Sequence, residues 1–250
     1  MALQKPESAL LAPIAALIIV LAIGARAQAA PEANVPRLVS LGGSCLGCEL
    51  SGRKMAGARF TGANFHGAML VGTDLKGARL VGSNFSGADF SRADLTGAEI
   101  AGVNFVGADF TGAVLADARL ASVNLQGDDM SRADLDGARF AGANLSHLTA
   151  NRASFAGAQL VAANLASGQF AGSMFRSARL DAANLSNGLF AGADFKDASL
   201  RHADIEGADL STAKNLTQGQ VNEACADAAT KLPRGISAHR CSPSIWIHVP

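Results

Sequence analysis

The sequence predicts an all-β solenoid, on three observations. From 50 to 210 every fifth residue is large and apolar: of 33 positions sixteen are Leu, twelve Phe, two Ile and two Met, with Ala150 the exception. Two residues before each centre, from 58 to 208, 22 of 31 positions are Ala. The remaining positions correlate at 20 residues rather than five, so four short sides make one coil. Five is the period of neither helix nor strand, but two inward positions spaced by two fit one extended side. Ala at one of them suits an interior too narrow for two large side chains per side. Glycines two residues after the centres, such as Gly62, Gly67, Gly72, Gly77, Gly82 and Gly87, suit corners with φ > 0. So small a coil cannot bury its own apolar face and is stabilised by stacking on the next.

Residues 1–29 read as an export signal. Lys5 precedes the apolar stretch ALLAPIAALIIVLAIGA, and ARAQAA supplies small residues at cleavage spacing. The alternative is an uncleaved anchor, although the stretch is short of the ~20 residues a spanning helix needs. Cleavage leaves no span in the mature chain and places the protein in the periplasm or outside the cell. Residues 30–44 form a linker and lead-in, 45–212 the repeat, and 213–250 a cap and tail. The whole chain carries 21 basic and 21 acidic residues, and without 1–29 the counts are 19 and 20. That balance excludes nucleic-acid binding driven by net charge.

Within the repeat each side has its own outward chemistry. The residue before the centre is Asn64, Asn84, Asn104, Asn124, Asn144, Asn164 and Asn184 on one side, followed by Asp204. On another it is Arg59, Arg79, Glu99, Arg119, Arg139, Gln159 and Arg179. The other two sides lean acidic, with Asp89, Asp109 and Asp129 in one column and Asp74, Asp94, Asp134 and Asp194 in the other. The tripeptides ANF, ADL, ADF and ANL recur in this register over about 160 residues. The chain thus resembles the pentapeptide-repeat family, whose motif is A-(D/N)-L-x-x. The resemblance implies a right-handed quadrilateral β-solenoid, with the centre and the small residue two before it pointing inward. At four centres per coil, 33 centres give about eight coils and a length of about 40 Å at ~4.8 Å per coil.

Both ends of an open solenoid need covering. At the second end Thr217 and Gln220 form a capping box for a helix over 218–229, with Val221 and Cys225 on the covering side. Such a length separates Cys45 and Cys48 from Cys225 and Cys241 by far more than the ~7 Å a disulfide allows. A single four-cysteine zinc site is excluded on the same ground. Cys225–Cys241 is the expected C-terminal staple, and Cys45–Cys48 is either a tight disulfide or a reduced pair. Residue 49 is Glu rather than the His of a haem attachment motif.

The Asn and Arg columns are the candidate interaction faces. Stacked amides bonding between coils are the structural reading of the first. For the second, Asp74 and Asp134 offer cross-corner partners to Arg79 and Arg139. Asn144, Asn184 and Asn215 open N-x-S/T sequons. One zone of the third side is irregular. Asp128 takes an inward small position, and Leu148 with Ala150 exchanges large for small. An inward carboxylate is costly unless bonded, so a bulge turning Asp128 outward is expected, or bonding to local amides. The five histidines fall at no metal or catalytic spacing, and no nucleophile elbow, HExxH or phosphate loop is present. No enzyme activity, cofactor or metal is therefore expected. The expected role is an exported scaffold for a protein or envelope partner, with a homodimer through one solenoid end as a further expectation. The alternative, a DNA-mimicking inhibitor of gyrase such as the family contains, calls for a strongly acidic cytoplasmic rod. Residues 50–212 carry 14 basic and 16 acidic residues behind an export signal. The apolar tail at 244–250 could dock on the solenoid or on a partner.

Overall fold

The computed structural model describes residues 39–41 and 43–238. The chain divides into two compact units, 1–33 and 34–250, and all described residues belong to the second. Residues 1–29, read from the sequence as an export signal, Cys241 and the 244–250 tail lie outside the described residues. Among the described residues no helix is long and apolar enough to cross a membrane.

The second unit is a parallel β-solenoid. Five three-residue strands, β1 (Val39–Leu41), β2 (Arg59–Thr61), β3 (Arg79–Val81), β4 (Glu99–Ala101) and β5 (Arg119–Ala121), form one sheet in chain order. Each pairs in parallel with the strand 20 residues on, so Arg59 lies on Arg79 and Arg79 on Glu99. Three further ladders of single bridges run at the same step, through Asn64–Asn84, Met69–Asp89 and Asp74–Asp94. Pairing starts at β1, before residue 45, and continues past 212 to Asp204–Cys225 and Asp209–Lys231. In those last bridges the step lengthens to 21 and 22 residues.

Hydrogen bonding explains the motif, because every backbone donor of a side needs an acceptor. In 64–68, Asn64 N–H donates down to Gly43 O, Phe65 N–H up to Asn84 O and Gly67 N–H up to Ser86 O. Ala68 N–H closes the turn on Phe65 O at 3.0 Å. Only His66 N–H lacks a backbone acceptor, and Asn64 Oδ1 takes it at 3.2 Å. The Asn or Asp before each centre is thus an Asx cap on the turn that follows. The bond from residue 67 to the next coil requires a left-handed corner. All second-after-centre residues from 47 to 207 adopt one, with φ between 51° and 75°. Thirteen of these corners carry a side chain, twelve of them from Asp117 onward. The sequence pointed to the glycines alone.

The interior is apolar and closely filled. Centres and small residues are buried throughout 60–210. Phenylalanines one coil apart stack face to face, as in Phe65–Phe85 at 4.9 Å and Phe90–Phe110 at 4.8 Å. Those on successive sides meet edge to face, as in Phe60–Phe65 at 82°. A 20-residue repeat gives stacked rings the same rotamer, and the coil spacing sets an aromatic contact distance. A Cβ at Gly168 or Gly188 would strike the Phe170 or Phe190 ring, so glycine stands there where Ala88 and Ala108 serve elsewhere.

At the C-terminal end α1 (Gln218–Asn222) carries the expected Thr217–Gln220 capping box and buries Val221. It stops well short of 229. The chain returns instead to the ladder, where Ile205 N–H donates to Cys225 O and Leu210 N–H to Lys231 O. Gln220 Nε2 donates to Phe195 O and Ala198 O, both at 2.8 Å, and so satisfies two carbonyls of the last regular coil.

Candidate functional site

The Asn column is a bonded ladder. Asn84 Nδ2 donates to Asn64 Oδ1 and Asn104 Nδ2 to Asn84 Oδ1, at 3.1 and 3.3 Å. Asn144 donates to Asn124 and Asn164 to Asn144, both at 3.2 Å. The same oxygens cap the turns at His66, Ser86, Val106, Gln126, Ser146 and Ala166. Asn184 caps Ser186. Between Asn104 and Asn124 no amide bond forms, and Val103 and Val123 fill the two inward small positions beside that gap.

The Arg column begins along the strands, and its ion pairs among the described residues run along the column at Glu99 and, for Arg179, to Asp181 just past the centre of the same side. Glu99 sits between Arg79, at 3.0 Å, and Arg119, at 3.5 Å. Among the described residues no ion pair joins Asp74 to Arg79 or Asp134 to Arg139, contrary to the cross-corner expectation. Residues stacked 20 apart are one strand spacing away, whereas a corner turns neighbouring columns to face different directions. Lys76–Asp94 at 3.0 Å and Arg176–Asp194 at 2.6 Å likewise reach into the next coil. Burial works to raise the Asp194 carboxyl, but bonds from Asn215, Arg176 and Lys196 N–H outweigh it and hold the group below its ordinary value.

Asp128 does not bulge out. The coil through 126–150 keeps the regular bridge pattern, and Asp128 is 1% exposed. Its Oδ1 accepts from Ala108 N–H at 3.1 Å, the amide bonding that was the other expectation. The Gly107 N–H also turns to this carboxyl. Oδ2 has no partner. Loss of hydration pushes the group up to about 8 against those two bonds. Leu148 and Ala150 are both fully buried, so the exchange of large and small stays inside the solenoid.

Cys45 and Cys48 form a disulfide with Cα atoms 5.4 Å apart. They occupy a centre and the next inward small position, and both pack against the first coil's core. Cys225 is disulfide-bonded, while the Cys241 expected to pair with it lies outside the described residues. Among the described residues no group of His, Cys, Asp or Glu is arranged to hold a metal ion. His66 Nδ1 lies 2.9 Å from Ser86 Oγ, and His147 and His202 are corner residues.

Three polar residues escaped the sequence reading. At two sides whose residue before the centre is not Asn or Asp, those of Ser154 and Gln169, a residue of the preceding coil takes over the turn donor. Asp136 accepts from Ala156 N–H and Ser154 Oγ, and Asn151 accepts from Ala171 N–H. Asp181 accepts from Ser199 Oγ and bridges Arg179 and Arg201. The available signal was an Asx just after a centre, 18 residues before a serine, or before Gln169 for Asn151.

Comparison with known proteins gives the same architecture. The sequence model for pentapeptide repeats (8 copies) matches residues 44–80, 74–112, 113–147, 138–180 and 178–214. The solved structure of QnrB1, a plasmid-mediated fluoroquinolone resistance protein, is similar with a TM-score of 0.51 and 19% identity, over 74% of this chain and 94% of that one. HetL, a pentapeptide repeat protein involved in heterocyst differentiation regulation in the cyanobacterium Nostoc, is 28% identical over 65% of this chain and 85% of its own, with a TM-score of 0.31. A pentapeptide repeat protein of the Arabidopsis thaliana thylakoid lumen is 28% identical over 38% and 70%, with a TM-score of 0.33. No curated protein matches. With family matches reaching from 44 to 214 and the five-residue register kept throughout, the chain belongs to the pentapeptide repeat family.

Proposed function

We propose that the chain is a non-catalytic scaffold, exported from the cytoplasm, that offers its columned sides to a protein partner. Its coil is inferred to be right-handed and four-sided, with about eight turns for 33 centres. The observation that carries the reading is the segregation of outward chemistry. The Asn ladder runs unbroken from 64 to 184, the Arg ladder is interrupted by Glu99 and Gln159, the third ladder holds Asp from 89 to 129, and the fourth mixes Asp with Val114, Ser154 and Met174, all above an interior filled by Leu, Phe and Ala. Flat rows of like side chains at one spacing suit recognition of a partner's surface more than the enclosure of a small molecule. The export sequence supports the compartment, and the Cys45–Cys48 disulfide fits an oxidising one. Nucleic-acid mimicry gains nothing from the fold, because the sides differ in sign and nearly cancel.

Capture from the exported fraction tests the reading. A partner retained by the wild-type chain should be lost on substituting either Arg119 and Arg139 by Glu or Asn124 and Asn144 by Asp. Recovery of the chain from the cytoplasmic fraction, or a partner indifferent to both pairs, refutes it.

A further inference from the structure

The outward charges are distributed in opposed pairs around the coil. On the first side, carried by β2–β5 and its continuation, Arg59, Arg79, Arg119 and Arg139 face out with Glu99 among them. Two sides further on, Asp89, Asp109 and Asp129 stack in unbroken succession. The corner after the third side carries Arg92, Arg132 and Arg152, and the corner before the first carries Asp117 and Asp197. Among the described residues Arg59, Arg139, Asp89, Asp109 and Asp129 have no ion-pair partner.

Both columns repeat at the same 20-residue step, so their pitch is identical, about 4.8 Å. Rows of equal pitch stay in register along a whole contact. A copy displaced sideways without rotation lays its third side over the first side of its neighbour. Because the order of sides is preserved, the same displacement lays the arginine corner along the corner that holds Asp117, with Arg132 less than one coil from it, while Asp197 lies more than two coils beyond Arg152. The charge pattern is therefore complementary to a translate of itself at the face and again at the edge. The residues after the centres on the first side, Thr61, Val81, Ala101 and Ala121, are small enough not to prop two faces apart.

We propose that the first and third sides are the two halves of one heterologous contact, through which copies of this chain associate side by side. The inference rests on the four-sided coil given under Proposed function. A contact of this kind adds copies in a row and does not close at two. Exposed ion pairs are weak and screened by salt, so the association is reversible and set by concentration.

Sedimentation velocity of the full chain at about 20 mM and about 500 mM NaCl is the test, spanning Debye lengths from over 20 Å to under 5 Å. At low salt the weight-average sedimentation coefficient should rise with concentration, and at high salt it should return to that of the monomer. The Arg119→Glu/Arg139→Glu and Asp89→Lys/Asp109→Lys variants should each stay monomeric at low salt, and their equimolar mixture should associate. Asp89→Asn/Asp109→Asn, which retains the turn-capping oxygens, should also be monomeric. A wild type that is monomeric at low salt, association that persists at high salt, or variants that associate like the wild type overturn the proposal. A column-dependent protein partner captured by a chain that stays monomeric would sink this contact and leave the scaffold reading standing.

Discussion

One donor per side decides which residue stands before the centre. The N–H after the centre finds no acceptor in the next coil, so an Asn or Asp oxygen two residues back supplies one. Not all of these residues carry the same load. Asn144 caps Ser146 and takes part in two amide bonds, while Asn184 caps Ser186 only. Asn144→Ala should cost about 2 kcal/mol and Asn184→Ala about 1 kcal/mol or less in urea unfolding. Equal costs would contradict the ladder. Asp128 brings a pH dependence of defined sign. Its folded value of about 8 lies above the ordinary 3.8, so below about pH 3.8 both states hold the proton. Between about 3.8 and 8 only the folded state holds it, and stability falls as pH rises, levelling off above about 8. Asp128→Ala restores the residue found at 88 and 108. It should raise the melting temperature at pH 8 and leave it nearly unchanged at pH 4. A wild-type melting temperature that is flat across this window would exclude a buried, protonated carboxyl.

The ends are where elements had to be resolved individually. Each five-residue side is dictated by its own sequence, so the period of 20 was legible before any coordinates. It names which residue stacks on which, and Asn84 on Asn64 followed directly. The cap was legible at its start, where Thr217 and Gln220 satisfy each other's backbone, but not in its length. Extending α1 to 229 would withdraw Cys225 O and Lys231 O from the donors of Ile205 and Leu210, and those bonds prevail over helix propensity. Charge pairing was misread for a related reason: side chains on this fold meet along the column, and sequence neighbours across a corner diverge. The left-handed corners at Ala162 and Ala182 were equally hidden, because nothing about alanine announces φ of 55°. Gln220→Ala should cost about 1–3 kcal/mol by leaving Ala198 O without its donor and Phe195 O with the Ala198 N–H alone. Hydrogen exchange should show faster opening around 195–205, with residues near 100 unaffected.

At the scale of the molecule, stability is a sum over coils and the interfaces between them. Deleting residues 160–179 removes one full step, so Leu180 takes the place of Leu160 and every column continues. Deleting 160–164 also keeps the inward register, yet it moves each later residue to a different side and separates Asn184 from its column. The 20-residue deletion should lower the urea midpoint only modestly, and the five-residue deletion should lower it further despite removing less chain. A reversed order would mean that the columns contribute nothing. The stacked core also has an optical consequence. All aromatic residues of the repeat are Phe, the chain has no Tyr, and Trp246 lies beyond the repeat in the tail. Emission excited at the red edge of protein absorption therefore comes from the tail alone. Unfolding followed by that light and unfolding followed by far-ultraviolet dichroism are two separate experiments on this protein, one reporting on the neighbourhood of Trp246 and the other on the coils.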